Sequence, residues 1–173
     1  MRVGRIASSI KTDGMSRVMK TSIALVCLLA LFVCGQAAGA PPADAALRDG
    51  AGAPRALPNP AIILFWAAWC APCRVEVQML PELTRAADPT PVIVIPMETG
   101  RTTRELLGAI RPDQLRFVPG GAYRLLGTLA GDTAGLPVSV AIDPAGAVCA
   151  VKQGAITVAE IGAWARKCGK VGR

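Results

Sequence analysis

The 173-residue chain contains no histidine. That absence removes Ser-His-Asp and Cys-His catalysis, imidazole-ligated metal sites and a side chain that titrates near neutral pH. Aromatic residues are scarce, at 4%, and charged residues make up 18%. The few aromatics are not interleaved with a basic run, so the sequence pI of about 9.5 does not point to nucleic acid. A membrane-length apolar run is lacking as well. The run Ile23 to Cys34 holds twelve residues, whereas a helix crossing a bilayer takes about 20.

What is present is an ordered opening segment. Arg2, Arg5, Lys11, Arg17 and Lys20 precede that apolar run, and Gly35-Gln36-Ala37-Ala38-Gly39-Ala40 follows it. Basic, then apolar, then small is the order of a secretory signal, so residues 1–40 are expected to be a signal peptide, with a retained membrane anchor as the alternative. Five of the 19 basic and one of the 12 acidic residues lie in this segment, so the rest carries a net charge of +3. Cys27 and Cys34 fall in it too. Cys70, Cys73, Cys149 and Cys168 remain, an even number suited to a compartment where disulfides persist. The remaining length suits a single domain with one core.

Residues 41–60 are rich in Pro, Ala and Gly without sustained apolar periodicity and are expected to be a linker, with the domain spanning residues 61–173. From Ala61, strand and helix patterns alternate. Strands are expected at Ile62 to Ala67, Val92 to Met97, Leu115 to Val118, Val138 to Ile142 and Ala147 to Gln153. Helices are expected at about Ala71 to Ala87, Thr102 to Ile110, Ala122 to Ala130 and Val158 to Lys167. Thr102 with Glu105, and Thr157 with Glu160, have the spacing of capping boxes. Asp143-Pro144-Ala145-Gly146 suits a tight turn between the last two strands. The order implies an α/β domain with a mixed sheet and helices on both faces.

The chemistry concentrates where the first strand runs into Trp66-Ala67-Ala68-Trp69-Cys70-Ala71-Pro72-Cys73 and a helix opens. Unpaired amides and the positive end of the helix dipole favour a thiolate there, which makes Cys70 the expected nucleophile. Cys73, three residues on, can resolve a mixed disulfide. Pro72 suits a first helical turn, where no amide donor is needed. Zinc would need a second ligand pair, and Cys149 and Cys168 lack the spacing of one. Covalent haem attachment needs His after the second cysteine, where Arg74 stands. An inert structural disulfide is the remaining alternative. Trp66 and Trp69 are expected to shield the thiolate and Trp164 to pack in the core. Ile161, Ala165 and Cys168 fall on one helical face, which turns Cys168 toward the strand carrying Cys149. A structural disulfide between the two is expected, with two free thiols or a second redox pair as alternatives.

FWAAWCAPC, followed by Gly135-Leu136-Pro137-Val138-Ser139 and a ββα ending, resembles the thioredoxin superfamily, in particular the exported TlpA/ResA/CcmG group, over residues 61 to 168. The resemblance implies a thioredoxin fold. It implies a thiol-disulfide oxidoreductase with no cofactor beyond its own Cys70-Cys73 disulfide and no metal. It implies that Pro137 is cis and abuts the cysteines, and that Trp69, Ala71, Pro72, Leu136 and Pro137 meet substrate, Leu136 through its backbone. Glu76 matches an acidic residue of this group and would help move the proton of Cys73, against the alternative of a solvated helix glutamate. The expected protein is a monomeric periplasmic dithiol reductase of protein disulfides, serving apocytochrome c or metal-site thiols and re-reduced by a membrane thiol donor of DsbD/CcdA type. An oxidase or isomerase is the nearest alternative, and a non-catalytic binding module or thiol metallochaperone a more distant one. Leu64 stands where cytoplasmic thioredoxins bury an aspartate, and Gln78 where family members often place a helix-kinking proline.

Overall fold

The residues Ile62 to Phe65 are apolar on both faces of an extended chain, which suits a strand covered on both sides. In the computed structural model, which describes residues 47–170, they lie in β1 (Ala61–Trp66), every residue of which is buried. The expected signal, residues 1–40, and residues 41–46 lie outside the described residues. The second strand, β2 (Val92–Pro96), pairs parallel to β1, with Leu64 opposite Val94. On its other side β1 pairs antiparallel with β3 (Val138–Ile142), which pairs antiparallel with β4 (Val148–Gln153). The order β2-β1-β3-β4 makes a mixed four-stranded sheet. β2 and β3 are buried throughout as well, and only β4, at the edge, alternates toward solvent. The expected turn between β3 and β4 forms: the Asp143 carboxylate accepts from the Ala145 and Ala147 amides, and Gly146 takes a positive φ of 82°.

The helices are α1 (Ala71–Gln78), α2 (Leu80–Ala87), α3 (Arg101–Leu106), α4 (Tyr123–Ala130) and α5 (Val158–Cys168). α2 packs against α5, and both reach the sheet. A single helix from Ala71 to Ala87 is not what forms. The helix breaks at Met79 because Pro81 cannot donate to the carbonyl four residues back and its ring crowds that carbonyl. The Thr157–Glu160 capping box is complete, with both reciprocal bonds made. The Thr102–Glu105 box is not made. α3 starts at Arg101 with Gly100 as its cap, which leaves Thr102 two residues past the capping position, inside the first turn.

The expected strand at 115–118 appears as isolated bridges, Leu115 to Val94 and Phe117 to Arg48. That second bridge belongs to an arm, residues 47–60, packed on the domain expected from Ala61. Leu47 and Leu57 are buried, and Arg48 and Phe117 exchange backbone hydrogen bonds of 2.9 and 2.7 Å. Buried Arg116 donates to the carbonyls of Ala56, Asp113 and Leu115 at 3.1, 2.9 and 2.7 Å. The Asp49 carboxylate turns the arm by accepting from the Ala51 and Ala53 amides. Periodicity is no guide to such a segment, since backbone bonds and one distant arginine hold it. Among the described residues no helix is long and apolar enough to cross a membrane.

Candidate active site at the Cys70–Cys73 disulfide

β1 delivers the chain to Trp66, and a short turn, closed by the Cys70 amide donating to the Ala67 carbonyl at 3.1 Å, leads into α1. Cys70 is the N-cap of α1. Its backbone is extended (φ −84°, ψ 99°), and its sulfur accepts from the Cys73 amide at 3.3 Å. A cap position places the Cys70 sulfur against an orphan amide and the positive dipole end, so negative charge on it is stabilised once the bond is reduced. Pro72 occupies the first turn, where its missing donor costs nothing. Cys70 and Cys73 are bonded, with 5.3 Å between their Cα atoms. Cys70 is 4% exposed and Cys73 0%, so what access the pair allows is at Cys70. Ala71 and Pro72 between them are exposed.

Glu76 lies one turn beyond Cys73 and is 3% exposed, which rules out a solvated glutamate. One carboxylate oxygen accepts from the Ile156 amide at 2.9 Å, and the other has no partner among the described residues. Burial raises this carboxyl above the usual range, with the Ile156 bond opposing in part.

The two tryptophans part company. Trp66 is buried in the core with its indole N–H unpartnered among the described residues, whereas Trp69 is 65% exposed and donates to Glu98 Oε1 at 2.9 Å. The side chain of Trp66 therefore packs inward, and only Trp69 stands over the surface beside the site. Trp164 is half-buried against the core.

Leu136 and Pro137 join through a cis peptide bond. The Pro137 carbonyl accepts from the Gly154 amide at 2.7 Å, while no backbone hydrogen bond among the described residues engages the Leu136 amide or carbonyl. Leu136 and Trp69 line one cleft of about 190 Å³, together with Met97, Tyr123, Leu126 and Asp132. Sequence reading passed over Glu98, Tyr123 and Asp132. The one signal for Glu98 was its place just past the carboxyl end of β2, where open α/β sheets bind ligands. Cys149 and Cys168 are bonded, with Cα atoms 5.8 Å apart, tying edge strand β4 to the end of α5. Among the described residues no group of His, Cys, Asp and Glu side chains is placed to hold a metal ion.

A parallel β1–β2 pair, an antiparallel β3–β4 pair, and a CxxC at the mouth of the first helix place the chain in one architecture. The chain has the thioredoxin fold. Comparison with solved structures agrees. The chain is similar to StoA from Bacillus subtilis, with TM-score 0.55, 18% identity, and coverage of 71% of this chain and 98% of that one. It is similar to a thiol:disulfide interchange protein from Chlorobium tepidum, with TM-score 0.54, 22% identity, and coverage of 76% and 99%. A secreted Mycobacterium tuberculosis disulfide oxidoreductase homologous to Escherichia coli DsbE gives TM-score 0.53 at 16% identity, over 72% and 96%. No protein-family model matches the chain. No curated protein matches it either. Within the thioredoxin fold, Cys70 to Cys73 stands at the junction of β1 and α1, and the cis Pro137 immediately precedes β3.

Proposed function

We propose that the chain is an exported thiol-disulfide oxidoreductase that reduces protein disulfides with the dithiol of Cys70 and Cys73. The observation that carries this reading is the asymmetry of the pair: Cys70, the N-cap of α1, keeps 4% exposure, while Cys73, one turn on, has none. In the reduced protein the Cys70 thiolate attacks one sulfur of a substrate disulfide, forming a mixed disulfide and releasing the first substrate thiolate. Cys73, losing its proton, then attacks the Cys70 sulfur. The Cys70–Cys73 bond closes, the second substrate thiolate leaves, and two electrons have passed to the substrate.

Glu76 is the buried carboxyl nearest in sequence to Cys73 on the same helix, and its proton-shifting role is part of this proposal. Trp69, Ala71, Pro72 and Pro137 would meet the substrate, with the unpaired backbone of Leu136 adding a strand contact. A site outside the cytoplasm, in the periplasm, is supported by the basic-apolar-small order of residues 1–40. The Cys149–Cys168 bond, of a kind that persists in oxidising compartments, supports it too. There a membrane thiol donor of DsbD/CcdA type would re-reduce the pair, and cytochrome c or metal-site thiols would be its substrates.

Trapping tests this directly. In Cys73→Ser the mixed disulfide cannot be resolved, so disulfide-linked partner proteins should accumulate, whereas Cys70→Ser should capture none. Equal capture by both variants, or failure of the reduced wild type to cleave the insulin disulfides, would sink the reading.

A further inference from the structure

The cleft beside the disulfide has a chemistry of its own. At about 190 Å³ it is smaller than the ~300 Å³ at which small-molecule pockets begin, so it accommodates one long side chain. Two of its walls are aromatic and open to solvent, Trp69 at 65% and Tyr123 at 60% exposure. Its apolar surface comes from Met97, Leu126 and Leu136, and its charge from Asp132. A second carboxylate, Glu98, holds the Trp69 indole by its N–H and adds negative charge at the ring edge. No lysine or arginine lines the cleft, and neither Glu98 nor Asp132 has an ion-pair partner among the described residues.

The placement of Asp132 follows from two glycines. Gly131, at φ +93°, ends α4 and turns the chain. The Asp132 carboxylate then rests against Gly127, where a Cβ would lie 2.6 Å from Asp132 Oδ1.

From these residues we infer that the cleft is a specificity pocket for a cationic side chain. It selects disulfide substrates that carry lysine or arginine beside the reactive cysteine. The methylenes of such a side chain pack on Leu126 and Met97, its charge meets the Tyr123 and Trp69 rings, and its end reaches Asp132. A neutral apolar side chain leaves the carboxylates unused, and an acidic one is repelled by them. This inference rests on the oxidoreductase reading, since the cleft matters only if a substrate disulfide approaches Cys70.

The test uses cystine-bridged peptides that differ only in one residue next to the reactive cysteine: Lys, Arg, norleucine or Glu. Uncharged 2-hydroxyethyl disulfide serves as the control. The reduced protein should favour Lys and Arg over norleucine by about tenfold in kcat/KM, with Glu below norleucine. Added salt should shrink the preference. The double variant Glu98→Gln with Asp132→Asn should bring the Lys and Glu peptides level, and Asp132→Lys should invert their order. Gly127→Ala, which displaces the carboxylate without changing charge, should lower the Lys-to-Glu ratio. Equal kcat/KM for all four peptides, with 2-hydroxyethyl disulfide still reduced, would overturn the pocket and leave the oxidoreductase reading standing. Failure to reduce 2-hydroxyethyl disulfide at all would overturn both.

Discussion

Glu76 has one oxygen bonded to an amide 80 residues away and the other bonded to nothing among the described residues. Burial holds its proton to higher pH than the unfolded chain does. The native state therefore binds more protons from about the ordinary 4.5 up to the raised value, and stability falls as pH rises through that window. Glu76→Gln removes this loss, so its melting temperature should gain on the wild type as pH rises above the ordinary carboxylate value. Below the ordinary value the gap should stay constant. A gap that stays constant across the whole range would show that Glu76 ionises as it does in the unfolded chain. In dithiol oxidation the same variant should alter the rate-against-pH profile, and an unchanged profile would remove Glu76 from proton transfer. Arg116 is a buried charge too, at 2% exposure. Because it alone satisfies three carbonyls on the arm and its anchor, Arg116→Met should cost about 3 kcal/mol in denaturant unfolding.

At the scale of the element, two sequence motifs of the same form meet different fates. Thr157 accepts from the Glu160 amide while Glu160 accepts from the Thr157 amide. Thr157→Ala should therefore cost about 1 kcal/mol, whereas Thr102→Ala, where no cap bond exists, should lie within about 0.5 kcal/mol of the wild type. Lys152 and Thr157 hold the Glu160 carboxyl down at about 2, against an ordinary 4.5. Its contribution is thus complete above pH 4.5 and lost as pH falls toward about 2. Thermal melts of the two threonine variants at neutral pH would separate a made cap from an unmade one. The split between α1 and α2 belongs to this scale too. Pro81 was visible in the sequence, but the apolar pattern continues through it, and periodicity does not register one missing donor.

For the whole molecule, the second disulfide closes a 19-residue separation between the exposed edge strand and the last helix. A loop of this length gives about 3 kcal/mol in the chain-entropy view. Cys149→Ser with Cys168→Ser should lower the melting temperature by about 10 °C for a domain of this size. A melt unchanged by the double substitution would mean that packing of α2 against α5 already fixes the helix without the bond.

The sequence by itself determined where the cysteine pairs lie and the frame around them. A CxxC after an apolar strand, the proline before β3 and a cysteine on the helix face turned toward β4 are local patterns of spacing and turn chemistry. Local physics is enough to read them. Only the tertiary structure decided what each side chain faces. It buried Glu76 under the Ile156 amide, sent Trp66 inward and Trp69 outward, folded residues 47–60 onto Phe117 and Arg116, and brought Asp132 to the cleft. Each of these rests on a contact across a turn or across tens of residues, and such contacts leave no periodic trace in the chain.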